Sequence, residues 1–562
     1  MYSKENKKQM IKGFMPYCIL IVVAIVLAWR AKYGFIWSDE PFYFSTANRF
    51  VQGDRPIIDE WYTAQVYSIL LVPLLKIWKK VSGGEFDGIF IFFRYLYVAS
   101  QMLIAFFTYK VLSKKGYKTA ILAAILFMIS CRGNIITISY YSVSLGSLLL
   151  SFLMLLSDLE SVSTSKIRKC IKSFIVGILW GIAIVCNPYL LALLFSMYLF
   201  LIWKVNSNKV NCDRENRDKE NHNTLKTKLT NLFTKISNAL GTICDSQKNY
   251  DINTRMIFMG TFFVGVSVLI YVFKSADINS FSQSLEYITQ DSSYYGNGLV
   301  KFFGAFLYIA NHFKFTIAFW GLSFLYIISR TILKKKIDDK TKNALQCVNI
   351  CVLLINTFYP LRNIYTLGAN AVALTLFGGI VYLLTPNRNK TIFNLFYLTG
   401  IVALVLMCAS SDTHFSATTN GCVIAGIGTL LLFEDFWKQT RYKCNYAAAL
   451  VIIVSLIITF GERLSFVYRD DSLGKLDTTI ESGCAKGIVT TAEKAKCYEA
   501  VSNTIKSITK KDANFYIMGF CPWGYLNSDM KCAAYTTWRI MPDMQDDLGD
   551  AYWKNYPQKN QI

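Results

Sequence analysis

Residues Trp37–Tyr62, WSDEPFYFSTANRFVQGDRPIIDEWY, decide how this chain is organised, because the polar residues of a very hydrophobic sequence collect there. The stretch directly follows the first hydrophobic segment. Ser38 is a good N-cap residue, and Asp39 and Glu40 place carboxylates in the first helical turn, where the helix dipole favours negative charge. Gly53 supplies a stop signal. The pattern therefore predicts a short helix that begins at Asp39.

This predicted helix is amphipathic and too short to cross a bilayer. Its apolar side consists of Phe42, Tyr43, Ala47, Phe50 and Val51. We expect it to lie flat at the membrane surface. The two carboxylates at its start have two interpretations: they only cap the helix, or they carry chemistry. What the rest of the chain places near them decides between the two.

The composition is that of a multi-pass membrane protein. Of 562 residues, 53% are hydrophobic and 15% aromatic, and many apolar runs reach the roughly 20 residues that span a bilayer as a helix. Hydropathy predicts about thirteen spans, at 15–36, 91–110, 118–131, 142–157, 173–187, 188–203, 256–273, 315–331, 344–361, 369–385, 391–409, 420–436 and 445–461.

The formal net charge of +22 raises the question of a nucleic-acid partner. With the N-terminus in the cytoplasm, nearly all of the excess positive charge falls on cytoplasmic segments, as the positive-inside rule requires. The basic balance thus indicates orientation in the plasma membrane and not a nucleic-acid partner. We expect segment 204–255 to be a mostly disordered cytoplasmic loop with one weak helix near 224–240, and residues 462–562 to be extracytoplasmic.

Two ambiguous segments fix the number of spans. Ala64–Lys80 is apolar, but a span there would send the basic KVLSKKGYK to the outside, so we place it within the first outer loop, 37–90, as a second interfacial helix. Residues 173–203 are continuously apolar with Asn187-Pro188 in the middle. A helix ordinarily ends before such a proline, so this segment is predicted to be a hairpin of two spans.

A second concentration of polar residues lies in the predicted outer loop 274–314. Its candidate functional residues are Glu286, Asp291, Lys301, His312 and Lys314.

After the membrane domain, 1–461, the composition changes abruptly to that of a soluble domain, and 462–562 is long enough for a small α/β domain. A helix is predicted over 491–508 and a buried strand around Phe515–Phe520. The tail contains Cys484, Cys497, Cys521 and Cys532. Four cysteines allow three pairings, and whether one disulfide forms among them stays open.

Carboxylates on an interfacial helix, together with basic residues on other outer loops, suit group transfer from a membrane-anchored phosphate donor. An acceptor hydroxyl needs a general base, which a carboxylate supplies. The phosphate leaving group needs cations, which Arg and Lys supply. No general acid is obligatory, because a phosphate ester leaves as a stabilised anion.

The Asp39-Glu40 pair just beyond the first span, the sequence SDEPFYFSTANRFVQGDRP and the apolar interfacial segment after it resemble the GT-C glycosyltransferases, particularly the mannosyltransferase and aminoarabinose-transferase type. The resemblance covers the whole layout. It implies an all-α GT-C membrane bundle of about thirteen helices with a small extracytoplasmic α/β domain. It also implies a polyprenyl-phosphate sugar donor and inverting transfer to a glycan, lipid or protein acceptor.

By the same resemblance, Asp39 matches the catalytic aspartate of the family's first outer loop and Glu40 its partner. Arg362 and Tyr365 in a later outer loop resemble the residues that hold the lipid phosphate, although the downstream proline of that motif is missing. Lys301 and Lys314 are further candidates for phosphate contacts; the alternative is that they anchor helix ends at the interface.

Further acidic residues, Asp59, Glu60, Glu286 and Asp291, are candidates for acceptor binding or a secondary site. A divalent metal is possible: His312 with Glu286 or Asp291 would supply ligands, but a lone histidine without a spaced partner is more often structural.

Two other function classes remain open. A secondary transporter or lipid-linked glycan flippase would show charged residues within spans and often repeat symmetry, and neither is evident here. A non-catalytic assembly partner in envelope synthesis would use the tail for binding and would not need Asp39.

Overall fold

The computed structural model describes residues 4–62, 64–159, 165–198, 247–274, 278–289, 300, 303–304, 306–307, 310–311, 313–333, 335–358, 366–410, 419–440, 442–510, 513–540 and 546–559. In this part of the chain helices dominate, and the strands are confined to four two-residue segments near the C-terminus. The possible helix near 224–240 lies outside the described residues.

Seventeen helices carry the architecture of this described part, and α13 contains a π-helical turn at Phe393–Leu398. They are α1 Lys4–Arg30, α2 Asp39–Val51, α3 Val72–Val81, α4 Ile89–Leu112, α5 Tyr117–Ile129, α6 Tyr140–Leu159, α7 Lys166–Cys186, α8 Gln247–Phe273, α9 Ile278–Thr289, α10 Lys314–Ile332, α11 Asp339–Phe358, α12 Thr366–Leu384, α13 Lys390–Ile392 continuing to Thr399–Ser410, α14 Thr419–Thr440, α15 Cys444–Ser465, α16 Ala492–Ile508 and α17 Asp546–Asn555.

Seven helices in the described residues are long and apolar enough to cross a membrane, and three shorter helical segments are also apolar. The seven are Ile89–Leu112, Tyr140–Asp158, Lys166–Cys186, Asn253–Phe273, Lys314–Ile332, Lys390–Met407 and Cys444–Ser465; the shorter ones are Phe14–Arg30, Tyr117–Ile129 and Asn370–Leu384. The chain is therefore a helical membrane protein. Helix is found at every predicted span, but the number thirteen stays a prediction.

The loop contacts sort the helix ends into two groups. At one end, the link between α5 and α6 meets the segment that follows α15, because the Asn134 amide donates to the carbonyls of Arg463 and Phe466. At the other end, the link between α4 and α5 meets the end of α14, where Lys438 Nζ lies 2.7 Å from the Lys115 carbonyl oxygen. The two links of α5 therefore lie at opposite ends of the helix bundle, as expected for a helix that crosses it.

The predicted break at Asn187-Pro188 is confirmed. Helix α7 ends at Cys186, and a new helical segment begins at 190. The Asn187 side chain donates to the Tyr140 carbonyl oxygen at 3.2 Å and to the Ser144 hydroxyl, which fixes the turn against α6.

The stretch after α1 and the C-terminal tail fold together. We call residues 35–88 and 466–559 the cap domain. One hydrophobic core contains Phe42, Phe44 and Leu75 from the first part and Ile480 and Trp523 from the tail, all buried. Because both parts contribute to this core, neither part buries its apolar side chains alone.

The tail has the predicted helix and only fragments of sheet. Helix α16 starts after Thr491, whose hydroxyl accepts the Lys494 amide, and it matches the predicted 491–508. Thr478–Thr479 pairs antiparallel with Val489–Thr490, and Asn514–Phe515 pairs parallel with Lys531–Cys532. The predicted strand around Phe515–Phe520 is thus reduced to its first residues, which are half-buried.

Helix α2 begins at Asp39 as predicted, but its surroundings differ from the prediction. Every residue from Glu40 to Phe50 is buried, so the polar side of the helix does not face water. The tail covers that side: Ser45 Oγ donates to the Pro522 carbonyl oxygen at 2.6 Å, and the Thr46 and Thr537 hydroxyls lie 2.7 Å apart. The amphipathic pattern did not predict this cover, because the covering contacts come from the distant C-terminus.

A buried polar cluster centred on Arg49 joins α2 to the tail. The Arg49 guanidinium contacts Asp54 at 2.6 Å, Glu60 at 3.1 Å and the Tyr552 hydroxyl at 2.6 Å. Glu60 also accepts the Thr537 backbone amide at 3.1 Å. Burial raises the pKa of Glu60, and the nearby Arg49 opposes that rise. The cluster thus engages Glu60, a fully buried carboxylate, in contacts between α2 and the tail.

We expect Arg49→Met to destabilise the cap domain, because it leaves the Glu60 carboxylate buried without its cation. Loss of one partner of a buried ion pair typically costs about 3–5 kcal/mol. Arg55→Met is the control, since Arg55 and Asp59 form a partly exposed pair at 3.0 Å, worth about 1 kcal/mol or less. Limited proteolysis of the full-length protein in detergent measures the effect. Equal protease resistance of the two variants would contradict it.

The possible disulfide is not formed. Cys484, Cys497, Cys521 and Cys532 are all free thiols in the structure. Cys484 and Cys532 are buried and contact tail residues, with the Cys484 sulfur 3.5 Å from the Tyr498 hydroxyl. These two thiols pack as small core residues.

Candidate active site around Asp39

Asp39 lies where the cap domain meets the helix ends, at the start of α2. Its side chain is 20% exposed to solvent. The Ser38 hydroxyl donates to Asp39 Oδ2 at 3.0 Å, and Arg469 Nη1 lies 3.5 Å from the same oxygen. The Arg469 guanidinium also donates to the Ser38 hydroxyl. Asp39 is thus a reachable carboxylate with a cation beside it.

The segment after α15 holds Arg469 in place. The Phe466 carbonyl accepts from Arg30 Nη2 at 2.6 Å and from the Asn134 amide. Further along, the buried Asp470 carboxylate accepts the Phe35 backbone amide at 2.7 Å. These contacts tie the segment to the ends of α1 and α5 on either side of Arg469.

Arg469 has an unusual backbone conformation, with φ at +54°, in the left-handed region that side chains other than glycine rarely adopt. Lys494 Nζ donates to its carbonyl oxygen at 2.7 Å, which helps hold this conformation. Such strained backbone concentrates at functional sites. Here it accompanies the placement of the guanidinium against Asp39 while 42% of the side chain stays exposed.

Two tyrosines adjoin Asp39. Burial, together with the negative charge of Asp39, raises the pKa of Tyr468 to about 12, although Arg469 opposes the rise. The pKa of Tyr43, one helical turn after Asp39, is also raised, by burial and then by Tyr140 and Asp39. Both phenols therefore stay protonated at neutral pH and are available as hydrogen-bond donors.

A second cation, Arg132, approaches from the link between α5 and α6. Its guanidinium lies 3.6 Å from the centre of the Tyr141 ring and 3.3 Å from the Tyr140 hydroxyl. The Tyr140 ring in turn packs against Tyr43 at 5.7 Å. Arg132 is half-buried and within electrostatic range of Tyr43, so positive charge lies on two sides of this region.

Glu40, the neighbour of Asp39, points into the protein. Both of its oxygens accept from Arg94 at 2.5–3.1 Å, and Arg94 also donates to the carbonyls of Ala31 and Gly34. The pair is fully buried. The contacts fix the start of α2 to α4 and to the end of α1, so the Glu40 carboxylate is engaged in this buried ion pair, and its catalytic role stays a prediction.

Aromatic side chains continue from Asp39 toward the tail. The Arg469 and Arg539 guanidinium groups lie 5.5 and 5.3 Å from the Phe520 ring centre. Phe520 packs edge-on against Trp538 at 5.5 Å, and Trp538 packs against Phe42 at 5.0 Å. Phe520 and Trp538 are half-buried, which leaves part of each ring accessible.

The other predicted site residues are not brought to Asp39 in the described residues. Asp59 pairs with Arg55, and Glu60 belongs to the Arg49 cluster. Glu286 is exposed on α9, and Lys314 is exposed at the start of α10. The positions Arg362, Tyr365, Lys301, Asp291 and His312 lie outside the described residues, so their predicted roles stay predictions.

Within the described ranges no group of three or more His, Cys, Asp or Glu side chains is arranged to hold a metal ion. The possible divalent metal stays untested, because His312 and Asp291 are not among those residues. What the arrangement around Asp39 offers is a carboxylate, two arginines and protonated phenols, a set suited to proton abstraction beside an anionic group.

Sequence reasoning missed Arg469, Tyr468 and Arg132 as site residues. The one available signal was position: each arginine follows a hydrophobic segment on the side predicted to be outside, where positive charge is less common.

No protein-family model matches the chain, and no curated protein sequence matches it. The functional argument therefore depends on the chain's own residues.

Proposed function

We propose that this protein is a glycosyltransferase that moves a sugar from a polyprenyl-phosphate donor to an acceptor hydroxyl at the outer face of the plasma membrane. The observation that carries the proposal is the placement of Asp39. The Asp39 side chain is partly exposed, and its nearest cation, Arg469, lies 3.5 Å away. Glu40 and Glu60, in the same stretch, are each held in a buried ion pair.

In the proposed reaction Asp39 accepts the proton of the acceptor hydroxyl, and the acceptor oxygen forms a bond to the anomeric carbon. The bond from that carbon to the phosphate oxygen breaks, and its electron pair leaves with the polyprenyl phosphate. Attack from the face opposite the leaving group inverts the anomeric configuration.

Arg469 and Arg132 are the proposed contacts for the phosphate, because guanidinium groups form charge-assisted hydrogen bonds to phosphate oxygens. Tyr468 and Tyr43 are protonated donors beside them. Arg362, Tyr365, Lys301 and Lys314 remain further candidates on the donor side. The partly accessible rings of Phe520 and Trp538 are the proposed stacking surface for a sugar of the acceptor or donor.

The proposal requires a defined topology: the N-terminus and residues 204–255 in the cytoplasm, and the tail outside. Reporter fusions at Asn223 and Gln558 measure this. We expect a cytoplasmic signal from the first and an external signal from the second. Reporters on the same side would contradict the orientation and place the Asp39 region away from an outer donor.

The direct test of the activity uses the purified full-length protein in liposomes with radiolabelled polyprenyl-phosphate hexoses and pentoses. Transfer to an acceptor from crude envelope lipid and glycan, with release of polyprenyl phosphate, supports the proposal. Binding of these donors without release of polyprenyl phosphate would instead support a flippase or transporter.

A further inference from the structure

Two arginines are sealed inside the protein where α1 and α15 end. Arg30 has 1% and Arg463 0% of its surface exposed, and the two guanidinium groups are close enough to repel each other. The Arg30 nitrogens donate to the carbonyls of Leu464, Tyr33 and Phe466, at 2.6–2.9 Å. All three acceptors are neutral, so they satisfy the hydrogen bonds of Arg30 without balancing its charge.

Arg463 lacks even well-formed hydrogen bonds to neutral acceptors. None of its three guanidinium nitrogens makes a hydrogen bond of good geometry within the described part of the chain; the Tyr97 hydroxyl is a neutral group close enough to interact with the guanidinium. The Arg463 backbone carbonyl oxygen accepts from the Asn134 side-chain amide at 3.2 Å. The negative end of α15 attracts this cation but gives its nitrogens no partner.

Asp470 attracts Arg30 electrostatically, but Asp470 and the other nearby carboxylate, Glu40, are each bonded to a different cation. Glu40 is bonded to Arg94 at 2.5 Å, and Asp470 to Lys494 at 2.9 Å. Neither Arg30 nor Arg463 forms an ion pair with a carboxylate among the described residues. A buried charge without a counter-charge is strongly destabilising, so this pair needs a negative partner.

We propose that Arg463 and Arg30 bind a small inorganic anion, of the size of chloride, at this position. The guanidinium nitrogens of Arg463, which lack well-formed hydrogen bonds, supply the donors. Both arginines are completely buried, which argues against a phosphate that carries a lipid chain, so the proposed ion is of halide size. The site is separate from the proposed donor contacts and does not depend on the transferase activity.

The anion has a structural consequence for the Asp39 region. Arg30 holds the Leu464 and Phe466 carbonyls, and that segment leads directly to Arg469. Neutralising the two arginines therefore stabilises the segment that carries Arg469.

The test measures the thermal unfolding midpoint of the full-length protein in detergent, in sodium chloride against sodium gluconate at equal ionic strength. Gluconate is a much larger anion than chloride, and equal ionic strength removes differences in general screening. We expect chloride to raise the midpoint by about 2 to 5 °C in the unmodified protein. Arg463→Met should abolish this difference. Arg168→Met, which removes an exposed arginine at the start of α7, should keep it.

Two results would overturn the proposal. The first is an unmodified protein with equal midpoints in both salts, which would mean that no halide-sized anion neutralises the pair. The second is an Arg463→Met variant as sensitive to chloride as the parent. If Arg463→Met does not fold, the chloride titration of the unmodified protein decides alone, with bromide expected to act like chloride.

Discussion

Asp39→Asn is expected to lower the rate of sugar transfer by about 100-fold to 10,000-fold, the usual effect of removing a general base. The substitution keeps the shape of the side chain and removes its capacity to take the acceptor proton. It should leave folding largely unchanged, because Asp39 is partly exposed and its Arg469 contact is a long one, at 3.5 Å. Donor binding should also be retained, since in the proposal Asp39 does not contact the phosphate.

The measurement is transfer of labelled sugar by membranes that contain each variant at equal expression, together with donor binding by the purified protein. Asp471→Asn is the matched control: the same change, two residues beyond Arg469, at a carboxylate that is 42% exposed and pairs with Lys475. An Asp39→Asn protein with near-normal transfer would rule out Asp39 as the base. Loss of transfer together with loss of donor binding would point to a structural role instead.

The start of α2 shows how far local sequence reasoning reaches. The helix begins at Asp39 as the sequence predicts, but the Ser38 side chain makes no capping hydrogen bond and donates to Asp39 instead. Helical geometry also separates the two acids, because consecutive residues lie about 100° apart around the axis. Asp39 therefore stays partly exposed while Glu40 turns inward to Arg94. The identity of that buried partner, 54 residues away on α4, has no local signal.

The burial of α2 could not be predicted, because the residues that cover it come from the other end of the chain. Ser45 and the Pro522 carbonyl are 477 positions apart. Helix α2 has an apolar stripe and a polar side, which is the pattern of a surface helix. In the folded protein polar side chains of that surface, such as Arg49, are used for the contacts with the tail.

Positions such as Asn187-Pro188 and Thr491 were predictable because backbone chemistry decides them locally. Arg469 was not. In the sequence it is one charge in a short polar stretch after α15. Its left-handed backbone and its approach to Asp39 arise only when the Phe466 and Asp470 contacts are made. The candidate site is consequently a tertiary arrangement of residues, of which the sequence identified the acid and not its cation.

Arg469→Ala is expected to weaken donor binding about 10-fold to 100-fold and to slow the chemical step as well. The reason is that the proposal gives Arg469 a charge-assisted hydrogen bond to the phosphate, and such bonds contribute about 1.5–3 kcal/mol. Arg469→Lys should recover part of the binding, because a lysine keeps the charge but lacks the planar fork of donors.

The donor KM and kcat of each variant separate this role from a structural one. Lys475→Ala is the control, because it removes a positive charge from the same segment at a side chain that is 68% exposed. A purely structural Arg469 would reduce protein yield and kcat without a selective rise in the donor KM, and lysine would not restore binding. A rise in donor KM for Arg469→Ala, reversed in part by lysine and absent in the control, would assign the phosphate of the donor to the cation beside Asp39.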